Sequence, residues 1–475
     1  MSTAPGARPA RIGSVRTVVT ALLVVAVAVV IGASTATLTL FGRQDAALLA
    51  GAIGAAWVLF ALALVALRRV PDRAVAVLVI GGSLLIGGAG LAGPPNTSTD
   101  SARYAWDGLV ATSGVSPYDF VPLADELADL RPDWLFPEPV VAPDGAATCP
   151  QVRVAPTTTV PSGEPACTAL NRPHVPTIYP PVAELYFAAV ALVSTPEAQY
   201  LPLQIGGLMI SVGVTVLLLV SLRRRGMDPR WAAIWAWCPL VATEAVTNSH
   251  VDVLGAGLAL LASLLISSGR RVGGGIALGA AIATKLIPII VAPPLLRRRW
   301  WTVALAAVGT FAAVYVPYVL ASGPEVLGYL PGYLSEEGYD DGSRFALLSA
   351  VLPGPVAIVV AAVLLAAAAG LAIAKADPSR PWMTQVVLIG VVLIAVSPRY
   401  PWYALLLVPF VAMSGRVEWL VVAVALSARQ FFPMVGVLRV ALLIAVVVVI
   451  AAWLLRRRAK GRPARLEPAD DRATG

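Results

Sequence analysis

Apolar runs of roughly twenty residues recur from Val18 almost to the basic cluster at Arg456, and this recurrence decides the architecture before any single residue is read. A helix of that length spans the ~30 Å hydrocarbon core of a bilayer. Lipid offers backbone amides no partner, so only helices or closed barrels cross it, and these runs lack the two-residue alternation of barrel strands. Of 475 residues, 58% are hydrophobic and only 13% charged, too few for a soluble surface. The expected fold is an all-α polytopic membrane protein with about 12 transmembrane helices, in a range of roughly 10–14.

The formal charge of +8 would suggest nucleic acid in a soluble protein. Here the arginines gather at span ends, in Arg68-Arg69, Arg223-Arg225, Arg297-Arg299 and Arg456-Arg458, which is the positive-inside pattern and excludes a nucleic-acid partner. Residues 1–17 read as a cytoplasmic tail, bearing Arg8, Arg11 and Arg16. The first apolar run is too long for a cleaved signal and is expected to stay as an anchor. Spans within 18–92 then deliver 93–178 to the outer face as a large first loop. Residues 179–455 form the transmembrane core, with outer loops at 247–252, 323–353 and 397–403, and 456–475 return as a basic cytoplasmic tail. The protein is thus expected in the cytoplasmic membrane, with both termini inside.

Two places strain this threading. Residues 181–222 must cross once although they hold two apolar stretches, so one of these is expected to be a half-helix. Between Arg270-Arg271 and Arg297-Arg299, Gly273 to Gly275, Gly279, Pro288, Pro293 and Pro294 suit a broken re-entrant hairpin better than a full span. Within the large loop, Cys149 and Cys167 face an oxidising compartment, so a disulfide is expected, with two free thiols as the alternative. Cys238 lies in an apolar segment.

The outer islands hold most of the ionisable and aromatic residues between the termini, and can line one cavity. Asp100 and Asp107, seven residues apart, would share one side of a helix with Arg103 and Tyr104 on or near it. A carboxylate beside a cation at the bilayer surface can deprotonate a hydroxyl while cations hold a leaving phosphate. The alternative is that Asp100 merely caps the helix. His250 and Asp252 form a second polar pair, too small a set to argue for a metal. Lys285, one of three lysines, is the one set well inside an apolar segment, so it must be paired, snorkelled or facing a phosphate. Arg399 is framed by aromatics in Ser397-Pro-Arg-Tyr-Pro-Trp-Tyr403, which also fits an interfacial belt. In the 339–344 loop, Asp340 and Asp341 read as solvated and Arg344 as a site candidate. No P-loop, nucleophile elbow or zinc-type cysteine array is present, and nothing implies a soluble cofactor.

Taken in order, Asp100 to Gly108, Gly114-Val-Ser-Pro-Tyr118, Ile178-Tyr-Pro-Pro181, His250-Val-Asp252, Thr284-Lys-Leu-Ile-Pro288 and Pro401-Trp-Tyr403 resemble the GT-C membrane glycosyltransferases. The nearest likeness is to actinobacterial polyprenol-phosphate-mannose-dependent mannosyltransferases, over residues 95 to 410. The resemblance implies a GT-C-like bundle whose first outer loop is catalytic. It also implies inverting transfer of a sugar, usually mannose, from a polyprenyl phosphate to a lipoglycan or glycolipid hydroxyl. Asp100 falls at the catalytic base, with Asp107 as fallback. Arg103, Lys285, Arg399 and His250 fall at the donor phosphate, and Tyr104, Trp106, Tyr118, Tyr179, Asp252, Arg344, Tyr400 and Trp402 line the substrate. Many relatives carry two adjacent acids where this chain has Thr99-Asp100, so no metal or other cofactor is implied. The implied partners are the lipid-linked donor, the acceptor and membrane lipid. Competing readings are a transporter or flippase for a lipid-linked sugar, a non-catalytic membrane scaffold, or an enzyme for another sugar such as arabinofuranose.

Overall fold

The computed structural model describes residues 8–149, 157–297 and 299–460. Residues 1–7 and 461–475 of the two expected cytoplasmic tails, 150–156 of the cysteine loop, and Arg298 of its arginine cluster lie outside the described residues. In chain order the helices are α1 (Arg8–Thr37), α2 (Ala46–Leu67), α3 (Asp72–Ala89), α4 (Asp100–Thr112), α5 (Pro181–Leu192), α6 (Leu201–Arg224), α7 (Ala233–Ala236) and α8 (Asp252–Ser267). They continue with α9 (Arg271–Thr284), α10 (Trp300–Ser322), α11 (Leu330–Glu336), α12 (Gly354–Lys375), α13 (Trp382–Val396), α14 (Val408–Ser414), α15 (Leu420–Phe431) and α16 (Val435–Lys460).

The molecule is an all-α polytopic membrane protein. Among the described residues seven helices are long and apolar enough to cross a bilayer, and a pair bent by 115°, Val241–Thr247 with Asp252–Ser267, makes an eighth span if counted as one. Four shorter apolar helices, Pro181–Leu192, Arg271–Thr284, Trp382–Val396 and Pro401–Ser414, complete the bundle. Leu305, Val308 and Leu320 on α10 and Val359 and Val363 on α12 are exposed, as lipid-facing side chains should be.

Helices α6 and α8 give the bundle two ends. Gln204 near the start of α6 donates to the carbonyls of Gly93 and Thr247 (2.9 Å each), and α8 opens at Asp252, beside Lys285. At their other ends Arg225 donates to Leu264 O and the Ser267 and Ser268 hydroxyls. Within 181–224 only Leu201–Arg224 is long and apolar enough to cross a bilayer, and the arrangement of Pro181–Leu192 has a structural reason. Helix α5 packs on α4, where Gly108 leaves room for the Phe187 carbonyl, and the chain after it comes back to Tyr200, whose ring meets Trp134 of the large loop at 5.0 Å. Of the two helices, only α6 is long enough to cross.

Residues 231–246 are irregular: a 3-10 turn, the four-residue α7 and a π-helical turn at Val241–Thr247 follow one another, nearly all buried. The Trp235 indole anchors this irregular stretch by donating to Ser211 O at 2.9 Å. The glycines of 273–279, expected to break the hairpin, instead lie inside α9. Gly275 and Gly279, one turn apart, face the carbonyls of Val303 and Ala307 on α10, so a Cβ at either position would collide with that backbone. The break falls at Lys285, whose backbone is extended (φ −159°, ψ 140°), and 3-10 turns at Ile287–Val291 and Pro293–Leu295 follow. Arg297 then reaches Ala376 O just beyond α12, so the segment turns back as a hairpin would.

The large loop carries two small antiparallel ribbons, Val140–Val141 with Ala147–Thr148 and Thr158–Thr159 with Pro165–Ala166, and the Cys149–Cys167 disulfide joins them. Its own core gathers Trp106 and Val110 of α4 with Leu127, Leu135 and Leu170. Cys238 is buried and free.

Candidate active site

Helix α4 begins with the chain leaving α3, and its first turn delivers Asp100. The Ser98 hydroxyl accepts the Asp100 N–H at 3.2 Å, and the Asp100 carboxylate points elsewhere. It accepts a hydrogen bond from Asn171 Nδ2 at 2.7 Å and lies 3.6 Å from His250 Nδ1. The Asp100 carboxylate accepts this bond from Asn171 rather than from a backbone N–H at the start of α4.

His250 sits behind Asp100, wholly buried, its ring stacked on Trp402 at 3.8 Å, and Trp402 stacks in turn on Tyr400 at 4.4 Å. Tyr104 Oη lies 3.4 Å from the same Nδ1, while Nε2 faces the Glu244 carboxyl at 3.4 Å. Lys285 Nζ donates to Asp252 Oδ2 at 2.6 Å and lies 4.8 Å from the centre of the Tyr403 ring. The Tyr403 hydroxyl meets that of Tyr333 at 2.7 Å. Arg172 pairs with Glu336 at 2.7 Å, and Tyr329 donates to the same carboxylate.

These groups surround a cavity of about 780 Å³. One part of its wall is polar, with Asp100, Asn171, Arg172, Lys285, Tyr179 and Glu336. Another is hydrocarbon, with Leu286, Ile287, Ile289, Ile290, Val392 and Val396 from the hairpin and α13. Arg172, Ser249 and Ser397 hold positive φ angles of 50°, 48° and 51° around this region, strain of the kind that packed functional sites retain. Burial pushes the Asp100 carboxyl above the usual carboxylate range; the Lys285 cation, the Asn171 hydrogen bond and Arg172 pull it down without cancelling that rise. The α4 N-terminus adds a favourable dipole for a carboxylate there.

Of the residues singled out in the sequence, Asp100, Lys285, Tyr179, Tyr400 and Trp402 line the cavity. Asp252 and His250 stand directly behind this wall. Arg103 and Asp107 do not join them. Arg103 Nε binds both Asp107 oxygens at 2.8 and 3.0 Å and its Nη1 reaches Val175 O, so each neutralises the other deep in the loop interface. Trp106 is spent in the loop core, and Tyr118 donates to Tyr179 O at 2.6 Å, supporting the cavity wall from outside. Arg344 is buried and paired with Glu337; Arg399 approaches the same carboxylate at 3.8 Å and is 38% exposed. His174 is tied to Thr158 in the ribbon at 2.6 Å. Asn171, Arg172, Tyr333 and Glu336 are cavity residues that sequence reasoning missed; Asn171-Arg172, just ahead of Ile178-Tyr-Pro-Pro181, was the available signal. Among the described residues no group of three or more His, Cys, Asp or Glu converges to hold a metal.

Residues 177–398, which include Tyr179, His250, Asp252 and Lys285, match the family model of glycosyltransferase family 87. That match indicates a membrane glycosyltransferase. The cavity joins the matched segment to Asp100, which lies outside it. No curated protein and no solved structure matches the chain.

Proposed function

We propose that the chain is an inverting glycosyltransferase that moves mannose from a polyprenyl-phosphate donor to a hydroxyl of a cell-envelope lipoglycan or glycolipid, on the outer face of the cytoplasmic membrane and without a metal. The observation that carries this reading is the two-natured cavity: a half-buried carboxylate and two cations on one side, an isoleucine-rich wall on the other. A soluble sugar nucleotide has no use for that hydrocarbon wall, whereas a polyprenyl tail does.

In the proposed reaction the acceptor oxygen attacks the anomeric carbon as Asp100 takes its proton. The bond from that carbon to the phosphate oxygen breaks, and its electron pair leaves with the polyprenyl phosphate. One displacement inverts the anomeric centre. A base raised above the ordinary carboxylate range accepts a proton more readily, and keeping the site dry strengthens every charge interaction within it. Lys285 and Arg172 stand where they can share the departing phosphate, each held in place by a carboxylate partner. Charge compensation by these cations supports a reaction that needs no metal.

The test is transfer by the purified chain from labelled polyprenyl-phosphate-mannose to extracted lipoglycan acceptors, with the anomeric configuration of the product read by NMR. Labelled acceptor of inverted configuration is expected. A retained configuration would refute the mechanism; transfer only from arabinofuranose or glucose donors would refute the sugar. A carrier that moved the lipid-linked sugar without breaking a bond would yield no labelled acceptor.

A further inference from the structure

A second cavity, of about 740 Å³, lies at the end of the bundle remote from Asp100. Its wall combines Arg224, Arg225, Arg270 and Arg380 with leucines of α6 and α8 and Trp382, and among the described residues no acidic side chain lines it. Helix α8 separates it from the catalytic end: Asp252 opens that helix and Ser267 and Ser268 close it, about 24 Å away at 1.5 Å per residue. The donor phosphate cannot occupy both places at once.

Arg225 is fixed before any ligand arrives. Its Nη2 is held by Leu264 O at 3.2 Å and by the Ser267 and Ser268 hydroxyls at 3.0 and 3.1 Å, and its guanidinium lies 5.3 Å from the centre of the Trp382 ring. The Arg224 and Arg270 guanidiniums have no hydrogen-bond or ion-pair partner among the described residues, and the Arg380 guanidinium has only the attraction of Asp377, whose carboxylate is bound to the Ser379 N–H and hydroxyl. Four guanidiniums around a space that includes leucine side chains make a site for an anion that brings hydrocarbon with it.

We infer that this cavity binds the phosphate headgroup of an anionic phospholipid, with its upper acyl chains against the leucines of α6 and α8. Arginine forks match phosphate oxygens bidentately, and basic pockets between helix ends at the headgroup level suit such lipids. A free phosphate would leave the leucine wall without a role. Arginines that merely set topology would bind no particular lipid.

The experiment is native mass spectrometry of the full chain in detergent, titrated separately with phosphatidylglycerol, phosphatidylcholine and inorganic phosphate. Phosphatidylglycerol should be retained preferentially, and Arg270→Gln and Arg380→Gln should each weaken its retention about fivefold, since a basic residue near an anionic lipid surface contributes ~1 kcal/mol. Both residues are exposed at the helix ends, so both variants should fold, and thermal unfolding checks this. Arg416→Gln, in an arginine that does not line this cavity, serves as control and should change nothing. Equal retention of the two lipids, insensitivity to both variants, or displacement of phosphatidylglycerol by millimolar inorganic phosphate would overturn the proposal.

Discussion

Lys285→Met separates two roles that the structure gives one side chain. The Lys285 ammonium is 17% exposed and the Asp252 carboxylate 4%, at 2.6 Å, so removing the cation strands a buried anion. Breaking such a pair costs about 3–5 kcal/mol. The double variant Lys285→Met/Asp252→Asn removes the stranded charge and should recover most of that loss. Transfer should not recover with it: if Lys285 holds the departing phosphate, both variants lose about 10²–10³ in kcat/KM, the size of effect seen when one preorganised donor to a developing charge is deleted. The acid limb of the pH profile should also move. The Lys285 cation favours the charged form of Asp100, so its loss raises the Asp100 pKa and shifts the limb to higher pH in both variants. The assays are thermal unfolding in detergent and initial-rate transfer across pH. Recovery of transfer together with stability in the double variant would refute a phosphate role and leave Lys285 as the counter-ion of Asp252 alone.

Asn171→Ala should move the acid limb of kcat/KM to higher pH, because the lost hydrogen bond favours ionised Asp100; a limb that stays put or moves down would contradict the geometry. Asp107→Asn strips a buried arginine of its anion and should cost about 3 kcal/mol of stability, yet leave that limb in place; a shifted limb would put Asp107 back in the chemistry. Replacing Cys149 and Cys167 by serine releases a closed loop of 18 residues and should destabilise the ribbon region by about 3 kcal/mol, read as faster limited proteolysis within 144–170; unchanged cleavage would mean that the ribbons hold without the bond.

Much of this architecture was legible because lipid restricts the choices. Any apolar run must be helical, so the runs could be assigned from length alone, and the paired arginine clusters around 271–297 already demanded a chain that turns back. What failed was local. Glycine was read as a breaker at Gly275 and Gly279, whereas in a tightly packed bundle it is the residue that lets α9 touch α10. The start of α4 was the readable part of the site, since Asp100 opens the first polar segment after a span. Asp107 misled because seven residues do return it to one side of the helix, but about 10 Å along the axis, past the floor of the cavity. The four-residue spacing of Arg103 and Asp107 was the better guide, for that spacing predicts mutual pairing. Asn171 and Arg172 were hidden for a different reason. They close a Pro- and Thr-rich loop with no helical period, and only the fold of the ribbons and the α4 interface brings them back over Asp100.

The most direct test of the account is transfer from radiolabelled polyprenyl-phosphate-mannose by the wild-type chain beside Asp100→Asn. Asparagine keeps the shape and the contact with Asn171 through its carbonyl but cannot take the acceptor proton. The account predicts label in the lipoglycan with the wild type and at least about a 10²-fold loss in the variant, with unchanged thermal unfolding. Near wild-type transfer by a folded Asp100→Asn protein would contradict it.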